Sequence, residues 1–243
     1  MRSAINFFSL SSLDLENNTI IKRLFKYFYR IRPLKPKYST FWPVAKLLNF
    51  LKPLHPPQKL TLKELTLKTV ALVALTSSDR GQTLHLARSD KMVLNDNGSL
   101  EFLIHDRIKS TRRVIKPKTM YCCTSKVEEL NVAKYVQYYL ESTMDYRNSL
   151  LDKKLFISWI TKKPVTSATI GRWLKTVLHL SGIDTNLYTA HSYRGAGLSK
   201  AHSKGASPSQ IISGGNWSNI DIFENHYHAP TDDSELGRLI LDV

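Results

Sequence analysis

The chain has 243 residues, with 35 Lys and Arg against 20 Asp and Glu, a net charge of +15 and an isoelectric point near 9.8. With 42% hydrophobic residues and a mean hydropathy of −0.26, it can bury one good core, and its charge calls for a polyanionic partner, nucleic acid or an anionic membrane surface. No stretch approaches the ~20 apolar residues of a membrane span, which leaves nucleic acid as the favoured partner and no membrane. The apolar start near Phe7-Phe8 is broken by serines and then by Asp14 and Glu16, unlike a secretory signal. Cys122 and Cys123 are adjacent, which suits neither a disulfide nor a zinc site, and a reducing compartment is expected: the nucleus in a eukaryote, the cytoplasm otherwise. The basic excess is concentrated early, with 11 basic and 2 acidic residues among the first 60.

In chain order, residues 18–31 put Ile21, Leu24, Phe25 and Phe28 on one helical face with basic residues opposite. Pro33 and Pro36 end that helix. A second short helix is expected after Thr40, through Trp42, Ala45, Leu47 and Leu48, and Pro56-Pro57 form a stiff joint taken as a domain boundary. Leu60 to Thr76 reads as a buried helix, followed by a tight turn and a short helix over 77–90. Met92–Leu94, the turn Asn95-Asp-Asn-Gly98 and Leu100–Ile104 predict a hairpin, with a third strand around Arg113–Ile115. Helices are expected at 127–146, 166–181, 190–203, 207–213 and 219–227, with Thr166 and Ser207 as N-caps and Gly182 and Gly205 at helix ends. Leu155–Trp159 reads as a short strand or an extended segment. The fold class is therefore mixed and mainly α-helical, with a small antiparallel β-sheet.

Near the C-terminus stands His191-Ser-Tyr-Arg194, whose i, i+3 spacing puts imidazole and guanidinium on one helix face. Trp217 follows 23 residues after Arg194, and Tyr227 ten after Trp217. Upstream, Ala74-Leu-Thr-Ser-Ser-Asp-Arg80 ends an apolar helix on an arginine, and a guanidinium buried there needs an anion or carboxylate beside it. Lys109 lies in the basic turn Arg107–Arg113. The order Arg80, Lys109, His191-x-x-Arg194, Trp217, Tyr227 resembles the active-site series of the tyrosine recombinases, the phage-integrase superfamily. The phrasing around Leu65-Thr-Leu-Lys68 and from Trp217 to Pro230 resembles the eukaryotic branch from DIRS-type retrotransposons and Cryptons.

That resemblance, over roughly residues 60–230, implies the DNA breaking-rejoining fold and strand exchange through a 3′-phosphotyrosyl bond, with no cofactor or metal. It implies Tyr227 as nucleophile, Arg80 and Arg194 as the grip on the phosphate, His191 and Trp217 as further donors, and Lys109 as general acid. Arg107, Arg112, Arg113 and Lys116 are expected to contact DNA, and which basic residue of the 107–113 turn protonates the leaving group stays open. The expected partner is double-stranded DNA, bound by a homo-oligomer, a tetramer by family analogy. Tyr193 should face away from His191 and Arg194, and Tyr188 should pack. His226 and His228 flank Tyr227 without a third ligand at metal spacing. Thr83 stands where the family commonly has an acid three positions after the first arginine, and Asn216 where a glycine usually precedes the tryptophan.

Residues 1–58 are expected to be a helical remnant of an N-terminal DNA-clamping domain, shorter than a usual domain, and residues 59–243 the catalytic domain. The other functions compatible with these residues are an inactive DNA-binding remnant of a mobile element and a type IB topoisomerase-like activity.

Overall fold

In the computed structural model, the described residues are 18–32, 38, 40–106, 118–215, 217, 220 and 223. Two compact units divide the chain, one over residues 1–37 and one from Tyr38 onward. In the first unit, α1 (Thr19–Ile31) starts where the Asn18 side chain accepts from the amides of Ile20 and Ile21, at 3.0 and 3.2 Å. Its Ile20, Leu24, Phe28 and Ile31 are exposed.

The second unit is built around α3 (Leu62–Ser77), in which every residue from Leu65 to Leu75 is buried. A helix with no polar face must be enclosed on all sides. It packs against α5 (Val132–Ser142), α7 (Ser167–Leu180), α8 (Ser192–Ser203) and strand β3 (Lys118–Cys122). Its start is a capping box, with Thr61 Oγ1 accepting from Glu64 N and Glu64 Oε2 accepting from Thr61 N. Hydrogen bonding to Thr61 holds the Glu64 carboxyl below its ordinary pKa. Thr66 and Thr69 satisfy their buried hydroxyls on carbonyls one turn back, as the exposed Thr76 also does.

Before α3 lies α2 (Val44–Leu51), packed on α7 and α8 within the same unit, which therefore takes in the Pro56–Pro57 joint. This helix starts later than its sequence pattern predicts: Pro43 occupies the N-cap, and the residue before a proline is driven to extended backbone. Trp42 thus stands outside the helix, donating from Nε1 to Ser192 Oγ at 2.7 Å and meeting Tyr193 edge-on. Tyr38 OH and Thr189 Oγ1 are 2.9 Å apart, and Tyr188 OH donates to the Thr40 carbonyl at 3.1 Å, so residues 38–42 tie down the chain entering α8.

After α3 come α4 (Gly81–Leu86), packed on α7, and a three-stranded antiparallel sheet in the order β1 (Met92–Leu94), β2 (Leu100–Ile104), β3. The expected hairpin turn forms, with Gly98 at φ +78° donating to the Asn95 carbonyl at 2.8 Å. The third strand differs from expectation. The strand paired with β2 is Lys118–Cys122, in register Ile104↔Lys118 to Leu100↔Cys122, and its buried face carries Met120 and Cys122. Residues 113–115 lie outside the described residues.

The predicted helix over 127–146 is α5 followed by α6 (Met144–Asn148), broken at Thr143, with Val132, Tyr135, Val136 and Tyr139 all buried. Within Leu155–Trp159, Ile157 forms one isolated bridge, to Pro164, and Trp159 enters a turn. Thr166 caps α7, and Ser207 forms a reciprocal cap with Gln210 at the start of α9 (Pro208–Gly215). Gly182 and Gly205 take φ +72° and +86° where α7 and α8 end.

Two core features are open to test. A Cβ on Gly197 would lie 2.5 Å from the Leu75 carbonyl oxygen, so α8 approaches α3 only with glycine there. Gly197→Ala should cost about 1–3 kcal/mol in urea unfolding. Gly171→Ala on α7, where a Cβ meets nothing within 4 Å, should be neutral or gain up to about 1 kcal/mol.

The second feature is Lys68, fully buried, donating from Nζ to the Leu54 carbonyl at 2.6 Å and to Tyr135 OH at 2.8 Å. Burial pulls its pKa down from 10.5 to about 8, with Glu129 opposing. The unfolded chain therefore binds a proton that the folded chain has released between those values. Wild type should gain stability relative to Lys68→Met as pH rises from 8 to 10.5, and no further relative gain should appear below pH 8. A flat difference across the window would contradict the burial argument.

Candidate active site

The site is built where α3 ends. Ser78, buried, takes the left-handed conformation at φ +53° as the C-cap of α3, and Asp79 N donates to Ser77 Oγ at 3.3 Å. This reversal turns Asp79 inward, leaving it 8% exposed, and sends Arg80 out as extended backbone directly before α4. Arg80 thus stands three residues past the end of α3 and is half-buried. The deeply buried guanidinium belongs to Arg194, 2% exposed.

Arg194 lies in the first turn of α8 and Gly197 one turn later, so the close approach at Gly197 brings the Arg194 face onto the end of α3. Its guanidinium donates to the Gly215 carbonyl, and its Cζ sits 4.7 Å from the centre of the Trp217 ring. Trp217 in turn packs on Phe223, with ring centres 5.9 Å apart. A Cβ on Gly215 would come within 2.3 Å of the Trp217 ring, so a glycine is required there to let the indole fold back over the arginine. His191 occupies the N-cap of α8 and is exposed, so only Arg194 of that pair is drawn into the interior.

From the hairpin, Lys118 Nζ reaches to 3.5 Å from Asp79 Oδ1. Burial pushes the Asp79 pKa above the ordinary carboxyl value, while Lys118, then Arg194 and Arg80, pull it the other way. Arg80 and Arg194 therefore both act electrostatically on Asp79, which is paired with Lys118. Asp79, Lys118 and Gly215 were not singled out from the sequence as site residues. The adjacency of Asp79 to Arg80 is the signal that points to the first. Lys109, Arg107, Arg112, Arg113, Lys116 and Tyr227 lie outside the described residues, as do His226 and His228. Tyr193 and Tyr188 are packing residues: Tyr193 OH donates to the Leu174 carbonyl at 3.2 Å, and burial drives its pKa strongly up. Among the described residues no group of His, Cys, Asp or Glu could hold a metal ion, and no helix is long and apolar enough to cross a membrane.

Two arginines with an ordered aromatic wall suit a tetrahedral or trigonal oxyanion such as a phosphodiester, which guanidinium forks can grip in two directions. No family model matches the sequence, and no curated protein matches it. Solved structures do. XerH site-specific recombinase in a post-cleavage complex with palindromic difH substrate matches with a TM-score of 0.61 at 12% identity, over 84% of this chain and 54% of XerH. XerA recombinase matches with a TM-score of 0.59 at 13% identity, over 98% of this chain and 80% of that one. The integrase of transposon Tn1549, in complex with transposon right-end DNA, gives 0.55 at 14% identity, over 86% and 67%.

The fold is that of the tyrosine recombinase catalytic domain. At these identities the likeness covers the fold alone, and the chain spans about half the length of XerH. The mainly helical unit with its small antiparallel sheet is the architecture that the sequence resemblance implies.

Within this tyrosine recombinase fold, the seat of Arg194 depends on Gly215. Gly215→Ala should displace Trp217 and cost about 1–3 kcal/mol. The near-ultraviolet circular dichroism assigned to Trp217, by difference from Trp217→Phe, should be lost. An unchanged Trp217 signal would mean the ring does not lie over Gly215.

Proposed function

We propose that this chain cleaves and rejoins double-stranded DNA through a covalent 3′-phosphotyrosyl bond at Tyr227, as a metal-independent recombinase or integrase. The observation that supports it most is the buried Arg194, walled by Trp217 and sharing its surroundings with Arg80, in a fold common to site-specific recombinases.

The chemistry exchanges one phosphodiester for another, so bond energy is conserved without nucleotide hydrolysis. The Tyr227 oxygen attacks the scissile phosphorus, its proton leaving to solvent, and a P–O(Tyr) bond forms as the P–O5′ bond breaks. Negative charge builds on the non-bridging oxygens, where Arg80 and Arg194 grip it, with His191 and the Trp217 indole as further donors. Lys109 protonates the departing 5′-oxygen. Rejoining is the reverse reaction with a new 5′-hydroxyl. Arg107, Arg112, Arg113 and Lys116 add phosphate contacts. The working form on DNA is a homo-oligomer, and the wording of the Leu65–Lys68 and Trp217–Pro230 segments favours an element of the DIRS or Crypton type.

The test is a nicked duplex from which the cleaved end diffuses away. Wild type should accumulate protein covalently joined to DNA. Tyr227→Phe, which keeps the ring, should form none while DNA affinity is unchanged. DNA binding with no wild-type adduct would overturn the catalytic reading in favour of a DNA-binding protein.

Lys109 makes a separate prediction. A substrate with sulfur in place of the bridging 5′-oxygen has a leaving group that needs no proton. Lys109→Ala should be slowed ~10²-fold or more on ordinary DNA, as for loss of a general acid, and run near the wild-type rate on the sulfur substrate. Equal defects on both would assign Lys109 to phosphate binding alone.

A further inference from the structure

Asp79 takes no part in the chemistry set out above, yet its side chain is 4% exposed and lies among cations. Lys118 Nζ is 3.5 Å from Oδ1, and the charges of Arg194 and Arg80 both act on it. The Oδ2 atom is buried and has no hydrogen-bond partner among the described residues. A buried carboxylate oxygen without a donor is costly, and the cations around Asp79 are what offset that cost. The backbone holds the carboxylate firmly: Ser78 in the left-handed conformation fixes its direction, and Asp79 N is tied to Ser77 Oγ. Arg194, Arg80 and Lys118 come from three different elements, and three like charges in one place repel each other in the absence of an anion. One fixed carboxylate offsets that repulsion. Lys118 also pairs with Ile104 at the base of the β2–β3 hairpin, so its bond to Asp79 anchors the hairpin whose connecting segment carries Lys109.

We propose that Asp79 is a positioning residue, holding Arg80, Arg194 and Lys118 in the arrangement that receives the scissile phosphate before DNA arrives. This inference rests on the recombinase reading and extends it to a residue that never touches the substrate. Removing the charge leaves three cations that still attract phosphate but no longer share one orientation. Affinity and rate then separate, which a merely structural role would not produce.

The experiment compares wild type, Asp79→Asn and Asp79→Glu, each as the full chain. On the nicked duplex, Asp79→Asn should form adduct at least tenfold more slowly while its affinity for the same duplex is unchanged or higher, and Asp79→Glu should recover part of the rate. A parallel loss of rate, affinity and melting temperature in Asp79→Asn would overturn the proposal, as would a wild-type rate. A second measurement needs no activity. In the DNA-free protein, the Nε–H signals of Arg80 and Arg194, assigned with Arg→Lys variants, should shift in Asp79→Asn and exchange with water at least tenfold faster. A wild type that makes no adduct would sink the recombinase reading, and the arginine signals would still decide whether Asp79 holds the guanidiniums. Unchanged signals would mean that it does not.

Discussion

Burying the Arg194 guanidinium is the constraint around which the unit from Tyr38 onward is arranged. A charge at 2% exposure is tolerated only where fixed groups replace its water. Here they are the Gly215 carbonyl, the face of Trp217 and the field of Asp79. Each imposes a demand of its own. The carbonyl needs α9 to end beside α8, the indole needs residue 215 to lack a Cβ, and Asp79 needs α3 to stop in a left-handed turn at Ser78. Gly197 then lets α8 close on that turn. Trp42 and Tyr38 hold the chain entering α8 from the other side. A guanidinium so enclosed has little rotamer freedom left, which on the proposed function would preorganise it for a phosphate.

Much of the fold was legible because its signals are local. Thr166, Ser207, Gly182 and Gly205 mark helix ends through their own side chains or their own φ, and Asn95–Gly98 makes its turn unaided. Errors came where a neighbour decides. Pro43 pushes Trp42 out of its helix, and the described part of β3, Lys118–Cys122, is set by its pairing with β2. The same distinction holds at the site. Spacing and resemblance single out Arg80, Arg194 and Trp217 as candidates. Which arginine is buried could not be read from them, since burial of Arg194 depends on α9 and on Gly215, far along the chain. The need for a carboxylate beside a buried guanidinium was readable in Ala74–Arg80, but its bearer, Asp79, emerges only once the Ser78 turn fixes its direction. Thr83, in the position where the recombinase pattern has an acid, is buried in the first turn of α4.

The +15 net charge and this small cationic centre act at different ranges. Arg107, Lys109, Arg112, Arg113 and Lys116 fall within ten residues, and 11 further basic residues lie in the first 60. Clustered basic residues attract the phosphate backbone in a salt-dependent way with no regard to sequence. Arg194 is shielded from such screening and suits a single phosphate held at contact distance.

In the proposed function, Arg80 and Arg194 together bear the charge of one phosphate. The most direct measurement is adduct formation by wild type, Arg80→Ala and Arg194→Ala on two nicked duplexes, one ordinary and one with an uncharged methylphosphonate at the scissile position. On ordinary DNA each substitution should cost about 3 kcal/mol or more, as for loss of a positioned oxyanion donor. On the methylphosphonate, where that charge is gone, most of the loss should disappear for both. Defects of equal size on the two substrates would mean that the arginines serve the protein's structure and not the phosphate's charge.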